Sequence, residues 1–78
     1  MVTWDIEVTD TFGGQANYSW VERSKLRVPG GISNLALVRR IKSAAGYSGI
    51  RGRTWVAGDY VEIRFPDRCV VIFANVRH

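Results

Sequence analysis

The eight residues Val2-Thr3-Trp4-Asp5-Ile6-Glu7-Val8-Thr9 alternate apolar and polar without a break. Successive side chains leave a strand on opposite sides, so this period predicts a β-strand with one buried face. Val2, Trp4, Ile6 and Val8 take the buried side, and Thr3, Asp5, Glu7 and Thr9 the other. Gly13-Gly14 follows. Paired glycines reach positive φ at little cost and predict a tight turn. Ala16 to Leu26 then reads as the return strand of a hairpin. Tyr18, Trp20 and Leu26 are expected on the apolar face, and Arg23 and Lys25 beside Asp5 and Glu7, where opposite charges stabilise the pairing. Glu22 falls on the apolar side in this register, which requires a bulge or a face left open.

Pro29-Gly30-Gly31 ends the hairpin. Ser33 or Asn34 is suited to cap a helix from about Asn34 to Ala45. Leu37, Val38, Ile41, Ala44 and Ala45 fall on one stripe of that helix, with Arg39, Arg40, Lys42 and Ser43 outside it. Gly46 is a natural stop. Ile50 to Val56 predicts a strand interrupted by Gly52, with Arg51, Arg53 and Trp55 on one face. After the turn Ala57-Gly58-Asp59, Tyr60 to Phe65 alternates again: Val61, Ile63 and Phe65 point inward, Tyr60, Glu62 and Arg64 outward. Pro66-Asp67-Arg68 is a further turn. Cys69 to Val76 is almost continuously apolar, as in a central strand covered on both faces, and places Cys69 as a buried or half-buried thiol. The expected order is β-β-α-β-β-β. It makes an α+β fold in which one amphipathic helix packs on an antiparallel sheet, over a single domain spanning 1–78.

Composition excludes several classes. A chain of 78 residues with 46% hydrophobic and 12% aromatic residues has enough apolar surface for a core and is not a disordered segment. At this size it buries only about 60% of its unfolded surface. One cysteine rules out an internal disulfide framework and a multi-cysteine zinc site. No run is apolar enough to span a bilayer. Met1 to Asp10 carries acids and no Lys or Arg, unlike a signal peptide, so the expected location is cytoplasmic.

The search for chemistry finds no catalytic pattern. The sole histidine, His78, is the last residue, so no Ser-His or Cys-His arrangement is expected. Asp5 and Glu7 share a strand face but sit opposite Arg23 and Lys25, which reads as a solvated, charge-paired surface. Gly46-Tyr47-Ser48-Gly49 has the glycine spacing with which KH domains clamp nucleotides, and is equally explained by a helix stop followed by a turn. The expectation is a protein without enzymatic activity, cofactor or metal.

Charge is laid out unevenly. Residues 1–22 hold Asp5, Glu7, Asp10 and Glu22 and no base, whereas residues 23–53 hold Arg23, Lys25, Arg27, Arg39, Arg40, Lys42, Arg51 and Arg53 and no acid. Arg51, Arg53 and Trp55, with Tyr60 and Arg64 on the next strand, set cations beside aromatic rings. The candidate partner-binding set is therefore Arg39, Arg40, Arg51, Arg53, Trp55, Tyr60 and Arg64. Such a face suits an acidic protein surface, a nucleic-acid backbone, or no partner beyond solvent. Neither membrane contact nor more than a weak homodimer is expected.

The string Asp10-Thr11-Phe12-Gly13-Gly14, continued by Ala16-Asn17-Tyr18-Ser19-Trp20-Val21, resembles a family of short proteins encoded by bacteriophages and prophages. A looser likeness runs through Leu37-Val38-Arg39-Arg40, Ala44-Ala45-Gly46 and the closing Cys69-Val70-Val71-Ile72-Phe73. The resemblance implies an anti-CRISPR protein acting on a type I system: a non-enzymatic inhibitor that binds a subunit of the CRISPR-Cas surveillance complex and blocks target DNA binding or nuclease recruitment. Inhibitors that imitate DNA are acidic, whereas this chain carries a net charge of +4. The resemblance therefore implies steric occupation of an acidic protein patch. A small basic nucleic-acid-binding accessory protein is the alternative.

Overall fold

The computed structural model describes all 78 residues. Five strands form one antiparallel sheet: β1 (Val2–Phe12), β2 (Gln15–Val28), β3 (Arg53–Ala57), β4 (Tyr60–Phe65) and β5 (Val70–Val76), joined across one face by the helix α1 (Asn34–Ala45). The spatial order is β2-β1-β5-β4-β3, so the last strand is the middle one and β2 and β3 are the edges. This is the α+β architecture and element order that the periodicity predicts.

Local chemistry accounts for each element. Gly13 and Gly14 take φ of 62° and 81° at the β1–β2 turn, the left-handed pair that matches strand twist. Ser33 caps α1 by accepting the Ala36 N–H at 3.2 Å, and Gly46 closes it at φ 85°. Pro66–Arg68 forms a single 3₁₀ turn between β4 and β5.

The core lies between α1 and one face of the sheet. Trp4, Ile6 and Val8 of β1, Val61, Ile63 and Phe65 of β4, and Val70, Ile72 and Ala74 of β5 are buried there with Val28, Leu37 and Ile41. Val38 and Ala45 pack partly against this cluster. Ala44 is exposed, so the helical stripe is narrower than its sequence suggests.

Three expectations are corrected. Tyr18 is 52% exposed and Trp20 39% exposed, because regular pairing with β1 breaks between Thr9 and Thr11 and Tyr18 bulges at φ 57°. Glu22 keeps register opposite Val8 and lies exposed, the open-face alternative of the two its register allowed. The third strand begins at Arg53 rather than Ile50. A Cβ on Gly52 would stand 2.8 Å from the Arg64 carbonyl oxygen and 2.9 Å from the Phe65 ring, so the chain passes there pressed against β4 instead of paired in a ladder. Cys69 is exposed, at φ 52°, ending the 3₁₀ turn; the buried strand starts one residue later.

Candidate partner-binding surface

The helix covers only one face of the sheet. On the other, strand register places side chains in rows that cross the molecule. One row reads Arg23, Glu7, Phe73, Glu62, Trp55; the next reads Lys25, Asp5, Asn75, Tyr60, Ala57; a third reads Val21, Thr9, Val71, Arg64, Arg53. The first two rows interleave charge and aromatic surface because alternation assigns the odd residues of β1, β3 and β5, those of β2 from Val21 onward, and the even residues of β4 to this side.

The middle of the third row, Thr9 and Val71, is covered by the hairpin itself. Thr9 Oγ1 donates to the Trp20 carbonyl at 2.9 Å and accepts the Tyr18 N–H at 3.0 Å. Arg64 Nη1 donates to the Gly14 carbonyl at 2.6 Å. These bonds fold the tip of β1–β2 over this end of the sheet, and Thr9 and Val71 lose all exposure beneath it. Tyr18 is held at this end of the sheet with its side chain about half exposed.

Acids on the face are neutralised in pairs. Arg23 meets Glu7 at 3.3 Å, Arg77 meets Asp5 at 3.1 Å, and Arg64 meets Glu62 at 2.6 Å. Lys25, opposite Asp5 in the ladder, is left without an ion pair because Arg77 takes that carboxylate. Arg27 and Arg53 have no ion pair either. The surface therefore keeps positive charge at both edges, Lys25 and Arg27 on β2 and Arg53 on β3, with Phe73 and Tyr60 between them and the 55%-exposed Trp55 beside Arg53 on β3. A shallow depression of about 430 Å³ opens over Asp5, Glu7, Phe73 and Asn75.

Tyr60 Oη donates to Glu62 at 2.5 Å, and Arg64 Nε donates to the same carboxylate at 2.6 Å. Burial and the Glu62 bond push the Tyr60 hydroxyl up to about 12. The hydrogen bond from Tyr60, helped by Arg64, holds Glu62 below the usual carboxylate range. Both shifts move away from neutrality, the reverse of what a general acid or base requires. They lock the three side chains into a fixed platform. No three His, Cys, Asp or Glu side chains are grouped to hold a metal ion. No helix is long and apolar enough to cross a membrane.

The seven residues singled out by sequence do not share one surface. Arg53, Trp55, Tyr60 and Arg64 belong to the open sheet face, with Arg64 committed to Glu62 and Gly14. Arg39 and Arg40 stand on the outside of α1, and Arg51, which precedes β3, joins Arg39 and Lys42 around a separate hollow. The central basic block is thus divided between the two sides of the molecule. Tyr18, Lys25, Arg27 and Phe73 were missing from the sequence-based set. Strand parity placed Lys25 on this face from the outset, but the contribution of Phe73 and Tyr18 depends on strand order and on the folded-over hairpin. His78 Nε2 lies 3.1 Å from Asp59 Oδ2, with both side chains exposed. No protein family, curated protein or solved structure matches this chain.

Proposed function

We propose that the protein is a non-enzymatic binding protein that docks its open sheet face on an acidic patch of a partner protein. Taken with the phage-protein resemblance, the partner is a subunit of a type I CRISPR-Cas surveillance complex in the cytoplasm of the bacterial host. The protein then acts as an inhibitor of target DNA binding or nuclease recruitment.

One observation carries this reading. Apart from the end beneath the hairpin, the sheet face opposite α1 is left uncovered; it carries the exposed Trp55 and, on the neighbouring strand, Tyr60, with Phe73 on the middle strand and unpaired Arg53 at one edge and Lys25 and Arg27 at the other. Trp, Tyr and Arg are the residue types that anchor protein interfaces, and a fixed platform loses little entropy on docking. The fixed Tyr60-Glu62-Arg64 network and the sealed hairpin end make this face rigid. The acids it holds are offset locally, so the remaining field favours an acidic partner.

The test is co-purification with purified type I surveillance complexes, followed by DNA binding of the loaded complex. The expected result is stoichiometric association that Trp55→Ala and Arg53→Ala weaken, together with loss of target DNA binding or of nuclease recruitment. Absence of association with every Cas subunit, across several subtypes, overturns the CRISPR assignment.

A further inference from the structure

The side of the molecule that carries α1 holds a second, independent feature. Arg39, Lys42, Ser48, Gly49, Ile50 and Arg51 line a hollow of about 330 Å³ between the end of the helix and the loop that follows it. Three of these six side chains are cationic and none is acidic. Arg40 stands at an adjoining depression, again without an acid. Like charges gathered in one concavity raise the local concentration of counter-ions.

The surrounding main chain masks two of the helix's terminal carbonyls and leaves two loop N–H groups free. Carbonyl oxygens at a helix C-terminus ordinarily repel negative charge. Here the Lys42 and Ser43 carbonyls are capped by the N–H groups of Tyr47, at 2.8 Å, and Gly46, at 3.2 Å. The Ile50 carbonyl accepts Lys42 Nζ at 2.8 Å, which also draws the ammonium into the hollow. The N–H groups of Ser48 and Gly49 bond to nothing within the chain and are free to donate. Arg39 and Arg51 are exposed and make no ion pair or hydrogen bond within the molecule, so their guanidinium groups are uncommitted.

We infer that this hollow binds a phosphate group, through Arg39, Arg51 and Lys42 with the Ser48 hydroxyl and the loop N–H groups as neutral donors. Guanidinium and ammonium groups with main-chain N–H donors are the general equipment for phosphate recognition. The phosphate comes either from a small compound or from a nucleic-acid backbone, and Arg40 alongside extends the positive track in the second case.

The site lies apart from the open sheet face, so it stands or falls separately from the protein partner proposed above. The experiment is an NMR titration of isotope-labelled protein at low salt, first with inorganic pyrophosphate and then with a short single-stranded oligothymidylate. The expected result is saturable shifts of the Ser48, Gly49 and Arg51 amides. Arg39→Ala/Arg51→Ala should weaken the effect about tenfold while leaving the remaining spectrum in place. Arg53→Ala, on the opposite face, should leave it unchanged. Tighter binding of the oligonucleotide identifies a polynucleotide phosphate; equal or tighter binding of pyrophosphate identifies a small phosphate compound. Unmoved loop amides with both probes, or a double variant that binds like the parent, overturn the assignment.

Discussion

The Asp10 carboxylate accepts the main-chain N–H of Ser19 at 2.9 Å, bridging the point where the β1–β2 ladder breaks. Its other oxygen accepts Asn17 Nδ2 at 2.9 Å. The side chain thus replaces the pairing that the bulge removes, and it fixes the backbone on both sides of Tyr18. The Ser19 side chain first and the Asn17 amide second, with the Ser19 main-chain N–H adding less, hold the Asp10 carboxyl far below its ordinary value of 3.8.

A lowered carboxylate pKa stabilises the fold above the unfolded value, and that contribution disappears as pH falls from there through the folded value. Thermal melts of the parent and Asp10→Asn should therefore differ most near neutral pH, with the parent more stable. The two should converge as the pH drops below 3.8 toward strongly acidic conditions. A constant difference across that range would assign the Asp10 effect to something other than its charge.

Tyr60 carries the opposite dependence. Its hydroxyl ionises at about 12 in the folded protein against 10.0 ordinarily. A raised value adds stability that is complete below 10.0 and fades as pH climbs through about 12. Ultraviolet titration should show a tyrosine absorbance step at about 12 that Tyr60→Phe removes.

Gly52→Ala should destabilise by about 1–3 kcal/mol, the range for overpacking. The added methyl meets the Arg64 carbonyl oxygen at 2.8 Å, and a carbonyl built into β4 has no room to retreat. Urea unfolding at constant m-value is the measurement.

Ile41 has no exposed surface and sits where α1 meets the sheet. Ile41→Ala should cost about 2–5 kcal/mol, a large part of the stability of a chain this small. Circular dichroism melts should show a much lower midpoint or an unfolded protein at room temperature.

Trp55→Ala should behave in the reverse manner. At 55% exposure the indole contributes little to folding, and stability should stay within about 0.5 kcal/mol. Partner affinity should fall by about 2 kcal/mol or more if the open sheet face is the docking surface. Paired melting and binding measurements on one preparation separate the two effects.

Much of the molecule follows from its residues in order. Alternation in Val2–Thr9 and Tyr60–Phe65, the Gly13-Gly14 turn, and α1 between Ser33 and Gly46 all reflect constraints that act within a few residues of backbone. So do the two sides of each strand. What no local pattern contains is the order β2-β1-β5-β4-β3, because strand neighbours are chosen by burial across the whole core. While the close approach of Gly52 to β4 separates Arg51 from Arg53, that order puts Phe73 at the centre of the open face. It also lets Asp10 and Thr9 fold the hairpin over Val71. Cys69 followed the same rule: an apolar run marked it as strand, yet the 3₁₀ turn at Pro66–Arg68 needed a left-handed residue to end it, and Cys69 took that position at the surface. Periodicity decided the face of most strand side chains, with Tyr18, Trp20 and Arg51 displaced by the bulge and the late start of β3, and tertiary packing decided which charges and rings share a surface.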